Sequence, residues 1–293
     1  MSDRDVTFDL STPRVDELGQ VVHALRSWQD DAAPLQLHPG DLGWAWQFGA
    51  DALAAGLRTW SRDGEIMAIG MLDSPDVLRL TTAPDARQDE TLARQLVADL
   101  STPERGVLPA GQALVEAPNG TRVQQALTDT GWDLDEPWTP LRRDLSAPVA
   151  DPGVRTEVMG PEQASTFTTI HRSSFGSTRF TDDLWHTMAA GKPYGDGRSL
   201  LAYDDQGVAV AVVTVWSAGP GRPGLLEPMG VHADHHGHGY GRAITVAACS
   251  ALRDMGASSA LVCTPSTRIA AVATYRSAGF GPLPERFDRS RAV

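Results

Sequence analysis

Hydrophobic and polar positions change period along this chain, and the changes mark its elements. Residues 199–203 and 208–216 are near-continuous apolar runs on either side of Asp204-Asp-Gln-Gly207, which predicts two buried strands joined as a hairpin. The shorter run Leu225-Leu-Glu-Pro-Met-Gly-Val231 reads as the next strand. Pro228 in its middle cannot donate to a ladder, so a bulge or break is expected there. An Ala-rich helix follows at 243–255, with Gly256 as its cap, then a strand at 260–264 and a helix at 269–278. A strand near 154–158 and helices at 161–175 and 181–190 precede the hairpin, giving the order β-α-α-β-β-β-α-β-α-β.

The first half repeats this order. A strand at 6–10 and a helix at 14–29 lead to a hairpin of 57–62 with 65–72 across Asp63-Gly64, then strands at 77–82 and 112–117. The stretch 117–132 parallels 264–280, with Gly131-Trp132 in place of Gly279-Phe280. The pattern is a tandem repeat of an α/β unit with a mixed sheet. The Pro/Gly/Ala-rich link at 147–153 sets the expected boundary, with one domain over 1–146 and another over 147–293. Between the first helix and hairpin, His38-Pro-Gly-Asp-Leu-Gly-Trp44 reads as a turn into an aromatic-bearing helix. It is expected to anchor Trp44 and Trp46 in a core or between the halves, with ligand contact as the alternative.

At 293 residues, 41% hydrophobic and 21% charged, the chain has an ordinary globular composition. Its net charge of −12 is uneven: residues 1–146 hold 12 Lys+Arg against 24 Asp+Glu, and residues 147–293 hold 13 of each. An acidic half argues against a nucleic-acid partner and suits a cationic amine, although acidity can also simply aid solubility. No apolar run is long enough to span a bilayer, and Cys249 and Cys263 lack CxxC spacing, so a cytoplasmic protein with reduced core thiols is expected. Lys192 is the only lysine, an arginine bias such as a GC-rich actinobacterial genome would produce.

Chemistry concentrates at His236-Gly-His-Gly-Tyr-Gly-Arg242, between a strand and a helix. Glycines at 237, 239 and 241 let the backbone turn and aim successive N–H groups at one anion, and the helix adds the positive end of its dipole. A pyrophosphate would fit. The stretch is not a P-loop, which needs Lys-Ser/Thr where Arg242-Ala243 stands, nor a Rossmann fingerprint, which needs Gly or Ala at 242.

It resembles the acetyl-CoA loop of the GNAT N-acetyltransferases, Gln/Arg-x-x-Gly-x-Gly/Ala, with His236 in place of the leading Gln or Arg. Tyr275-Arg-Ser-Ala-Gly279-Phe280 is similar to the Tyr-x-x-x-Gly-Phe that this family carries downstream. With these two motifs in its second half, the repeat resembles tandem GNAT (acyl-CoA N-acyltransferase) domains, as in the group that includes mycothiol synthase, with the N-terminal copy degenerate. That copy places Glu90 opposite Gly239, Leu92 opposite Gly241 and Leu127 opposite Tyr275. A carboxylate in the cradle repels pyrophosphate and a leucine fills it, so 1–146 is expected to be structural and 147–293 to bind acetyl-CoA.

The resemblance implies that the 225–231 strand splays from its neighbour and exposes an edge to the pantetheine arm. The N–H groups of Met229, Gly230 and Val231 are then candidates for the thioester carbonyl and pantetheine. His236, Gly237, His238, Gly239, Tyr240, Gly241, Arg242 and Ala243 are candidates for the phosphates, while Arg268 replaces an asparagine often found at the next helix start. Glu227 is the base candidate, its alternative a solvated or salt-bridged carboxylate with no kinetic role. Tyr275, near the thiol by the resemblance, is the acid candidate for the departing thiolate. His232, His235, His236 and His238 crowd the loop, but no rigid scaffold or further ligand completes a zinc site, so no metal is expected. Phe175, Trp185 and Trp216 border the acceptor cleft or its core.

The expected activity is direct acetyl transfer to a primary amine of a small molecule, by a monomer or homodimer. A silent CoA-binding or sensing protein is the alternative.

Overall fold

The computed structural model describes residues 7–292. The first half contains β1 (Asp9–Ser11), α1 (Leu18–Ser27), α2 (Pro39–Ala45), α3 (Ala50–Gly56), β2 (Leu57–Arg62), β3 (Glu65–Ser74), β4 (Val77–Thr82), α4 (Glu90–Ser101), β5 (Ala113–Glu116), α5 (Arg122–Asp129) and β6 (Asp133–Asp144). The second contains β7 (Thr156–Val158), α6 (Ala164–Phe175), α7 (Asp182–Ala190), β8 (Gly197–Tyr203), β9 (Ala209–Trp216), β10 (Gly224–Val231), α8 (Tyr240–Asp254), β11 (Ser259–Pro265), α9 (Ile269–Ser277), β12 (Gly281–Pro282) and β13 (Arg286–Arg291). The expected order and repeat are both present. The first strand begins later than the apolar pattern suggested, and Val6 lies outside the described residues.

Each half builds an antiparallel meander that ends in one parallel pair, β4 with β5 and β10 with β11. A parallel pair needs a crossover, which α4 and α8 supply. The two halves then interlock. The sheet runs β1-β2-β3-β4-β5-β13-β6-β11-β10-β9-β8-β7, so the last strand of each half lies beside the fifth strand of the other. β13 pairs antiparallel with β5, from Arg289 opposite Val115 to Arg291 opposite Ala113, and β6 pairs antiparallel with β11 along its length. The chain link at 147–153 therefore separates the halves in sequence, while the sheet joins them through exchanged strands. The order read from the sequence ends each half in a strand but assigns it no residues: β6 carries Pro137 and Pro140 and many charges, and β13 has little apolar content.

Packing follows the repeat. One core fills the first half around Leu25, Leu57, Trp60, Ile69, Leu80, Leu96 and Leu127. The second-half sheet has a core on each face. One lies under α8 and α9 with Ile244, Val213, Leu226 and Val262, and Leu141 and Leu145, from β6 and just beyond it, join this core. The other lies under α6 and α7 with Phe167, Trp185, Trp216, Leu225 and Leu261, and Leu35 and Trp44 of the first half pack onto it.

The segment from α1 to α2 crosses onto the second half. Arg26 pairs with Asp196, Arg222 Nη1 donates to the Arg26 carbonyl at 2.6 Å, and the His38 ring meets the Pro223 carbonyl at 3.1 Å. In α2, a Cβ at Gly40 or Gly43 would collide with the Trp216 side chain, so the two glycines let the helix lie directly on that indole. Trp44 packs on Phe180 and His171, and Gly191 lies against the Trp46 ring. The two tryptophans thus anchor the halves to each other, as expected of that segment.

Candidate active site

At Pro228 the strand is broken as the sequence required. The register of β10 on β9 shifts between Leu226 and Met229, and on its other side β10 pairs with β11 only at Gly224 and Leu225. Beyond Leu225 the two parallel strands diverge and leave an open edge. The His232 N–H donates to Val210 on β9, so by alternation the Gly230 amide also faces β9, and those of Met229 and Val231 face the opening. Gly230 also leaves a gap for α6, since a Cβ there would collide with Ser174.

The glycine loop sits at the end of this edge. Gly237 (φ 80°) and Gly239 (φ 84°) hold left-handed backbone that a side chain would strain. Gly239 caps α8 without any side-chain acceptor, leaving the first-turn amides of the helix without a side-chain cap. Gly241 contributes differently from expectation. It is helical, and its missing side chain admits Thr274 of α9, whose Cγ2 would lie 3.0 Å from a Cβ. The helix also starts at Tyr240, ahead of Ala243, which is buried within it.

The His236 ring turns back to the Val231 carbonyl at 3.0 Å and pins the loop to β10. His238 is exposed and stacks on Tyr240. Arg242 is exposed and donates through Nε to the Ser277 carbonyl at 3.1 Å. Arg268 caps α9 at the surface. Among the described residues no three His, Cys, Asp or Glu side chains are grouped to hold a metal ion.

The equivalent corner of the first half is closed by its own chemistry. Asp89 caps α4 and accepts the Thr91 and Leu92 amides at 2.8 and 2.9 Å, so the helix terminus that would face an anion is already satisfied. Glu90 adds a second carboxylate, 3.5 Å from Arg122, and Leu127 is wholly buried.

Glu227 and Tyr275 come together at the divergence of β10 and β11. Tyr275, from α9, is 6% exposed and near enough to Glu227 to feel a charge on that carboxyl. Burial, with smaller contributions from Glu227 and Cys263, raises the tyrosine hydroxyl well above its ordinary value, so it stays protonated. Glu227 is half-buried, and burial pushes its carboxyl up to about 8, with Asp41 adding to the rise and Arg79 opposing it.

Asp41 and Arg79 are not among the residues singled out above from the sequence. Asp41 comes from α2 and Arg79 from β4, both in the first half, with Arg79 Nη1 2.9 Å from Asp41 Oδ1. Arg79 also reaches Glu116 (3.1 Å), which meets Arg286 (3.2 Å), which in turn holds Asp288 (2.9 Å). A visible signal existed: Arg79 and Glu116 are charges inside apolar strands, where a charge needs a partner.

Residues 164–280 match the model of the acetyltransferase (GNAT) family. This segment is a GNAT acetyltransferase domain. The fold of the whole chain is also that of two-domain GNAT proteins. It superposes on a GCN5-related N-acetyltransferase from Sphaerobacter thermophilus with a TM-score of 0.59, at 20% identity, over 99% of this chain and 96% of the other. A GNAT-family acetyltransferase from Colwellia psychrerythraea gives 0.63 at 15% identity, covering 98% and 100%. A tandem GNAT protein from the clavulanic acid biosynthesis pathway gives 0.61 at 14%, covering 97% and 98%. No curated protein matches the chain in sequence. The family match assigns to this segment acyl transfer from an acyl-CoA donor. The open β10 edge and the uncapped glycine loop fit such a donor, whereas the Asp89-capped corner of the first half does not.

Among the acceptor-side candidates, Trp185 and Trp216 are buried and structural. Phe175 remains 45% exposed beside His171. No helix among the described residues is long and apolar enough to cross a membrane.

Proposed function

We propose that the protein transfers an acetyl group from acetyl-CoA directly to a primary amine of a small molecule, in the domain formed by 147–293. The domain formed by 1–146 binds no CoA, and supports and walls the site. The observation that carries this reading is the meeting of Glu227 and Tyr275 at the diverging strands. The donor, when bound, supplies the acyl group and a thiolate leaving group. The Met229 and Val231 amides hold its pantetheine arm and carbonyl, and Gly237 to Ala243, with His236, His238 and Arg242, hold its phosphates. Arg268 lies at the rim of this groove.

Glu227 takes the proton of the incoming ammonium, directly or through a water, and Tyr275 gives its proton to the departing sulfur. A carboxyl whose proton is held to about 8 is a stronger base than an ordinary glutamate, nearer to what an ammonium demands. For the acceptor we favour the cavity of about 530 Å³ at the seam of the halves, which shares Arg286 with the ion network and is walled by Pro34, Leu35, Pro140 and Leu283.

The test is thiol release from acetyl-CoA in the presence of a panel of small amines. Amine-dependent release supports the proposal, whereas CoA binding without turnover on any amine favours a silent sensor. In the active protein, Tyr275→Phe should lower kcat by about a hundredfold and keep CoA affinity. An unchanged kcat would remove Tyr275 from the proton path. Leu283→Trp should raise the acceptor KM by about tenfold, roughly 1.4 kcal/mol of lost contact, while the KM for acetyl-CoA stays put. If both constants hold, the acceptor binds elsewhere.

A further inference from the structure

We infer that Asp41, contributed by the half without the glycine loop, is a positioning residue that shares one proton with Glu227. The inference rests on the reading of Glu227 as proton acceptor and gives that residue a partner.

Asp41 is held rigidly. It is 2% exposed, its Oδ2 accepts the His38 N–H at 2.6 Å, and its helix is pressed on Trp216 through Gly40 and Gly43. His38, whose ring packs against the Pro223 carbonyl, is kept neutral by burial, with its titration pushed down to about 4. The other Asp41 oxygen meets Arg79 at 2.9 Å, and the Trp216 indole on which this helix rests donates to the Glu227 carbonyl at 2.7 Å, which sets Glu227 beside the helix that carries Asp41.

Charge balance then dictates the protonation. Four carboxyls (Glu227, Asp41, Glu116 and Asp288) share two guanidiniums, Arg79 and Arg286, in a largely buried chain. Two carboxyls remain unmatched, and they lie at its ends. Glu227 and Asp288 are the members pushed up, to about 8 and about 7, in both cases chiefly by burial. Asp73 on β3 adds a further negative charge near Arg79, and Tyr275 on α9 and Cys263 on β11 are neutral, both raised by burial.

With both carboxyls ionised, the Asp41–Glu227 pair carries two negative charges against the one positive charge of Arg79. When the ammonium N–H bond breaks and the proton joins a Glu227 oxygen, the pair falls to one negative charge, which Arg79 matches. Proton uptake therefore leads to the balanced state of the buried cluster, and the first half tunes the base of the second.

The experiment is an infrared titration of the protonated carboxyl band that Glu227→Gln abolishes, which needs no turnover, alongside the pH–rate profile of the active protein. Asp41→Asn, which keeps an oxygen for the His38 amide, should move the midpoint down by about one pH unit or more, and Arg79→Gln should move it up by a similar amount. Shifts in opposite directions support the inference, and a role in folding alone would not produce them. A midpoint that stays in place in either folded variant overturns it. If no amine is ever acetylated, the infrared shifts still decide the pairing, so failure of the activity and failure of the pair are told apart.

Discussion

Gly239→Glu is expected to abolish acyl-CoA binding, seen in calorimetry as the loss of a one-site isotherm, with affinity down by about a hundredfold or more, roughly 2.7 kcal/mol. Two effects combine. Gly239 sits at φ 84°, where any side chain costs about 1–2 kcal/mol. The new carboxylate would also stand at the start of α8, where it can cap the first-turn amides as Asp89 does in α4 and repel a pyrophosphate. Gly239→Ala separates the two, since it carries the backbone strain without the charge, and should bind more weakly than the parent but better than the glutamate variant. Unaltered affinity in Gly239→Glu would mean that the phosphates lie elsewhere.

Glu227→Gln should lower kcat by about two to four orders of magnitude, the range for loss of a positioned general base, while acyl-CoA affinity is kept. The pH profile gives the sharper test. A raised carboxyl is protonated and idle as a base below its midpoint and available above it. The rate of the parent protein should therefore climb with pH through about 8 and level off beyond. In the glutamine variant the limb belonging to this group disappears. Residual activity close to the parent's, with the limb still in place, would assign the base to another residue.

Most of the second-half fold was legible because its signals are local. Apolar runs, Asp204-Asp-Gln-Gly207, Pro228 and the glycines each constrain the backbone within a few residues, and the strand break and the loop stand where those residues put them. Gly241 shows the limit of that reading. A glycine in a turn-rich motif reads as a turn residue, yet its work is to let α9 approach, which depends on Thr274 far along the chain. The ion network was hidden for the same reason. Asp41, Arg79, Glu116 and Arg286 come from four separate elements, and only the crossing of α2 and the insertion of β13 bring them beside Glu227. The exchange of β6 and β13 was hidden as well, because each strand owes its place to the partner edge it completes rather than to an apolar pattern of its own.

That exchange orders events during synthesis. β5 leaves the ribosome long before β13, so the sheet of the first half keeps an unpaired edge until almost all of the second half has been made. Its closure is a contact between distant segments, which come together slowly, and an open strand edge is prone to wrong pairing while it waits. The waiting edge is short, only Ala113–Glu116, followed after Ala117 by Pro118, Asn119 and Gly120, which do not extend a strand. A nascent chain stalled before residue 286 should thus expose β5 to protease or to a chaperone, and emergence of β13 should bury it.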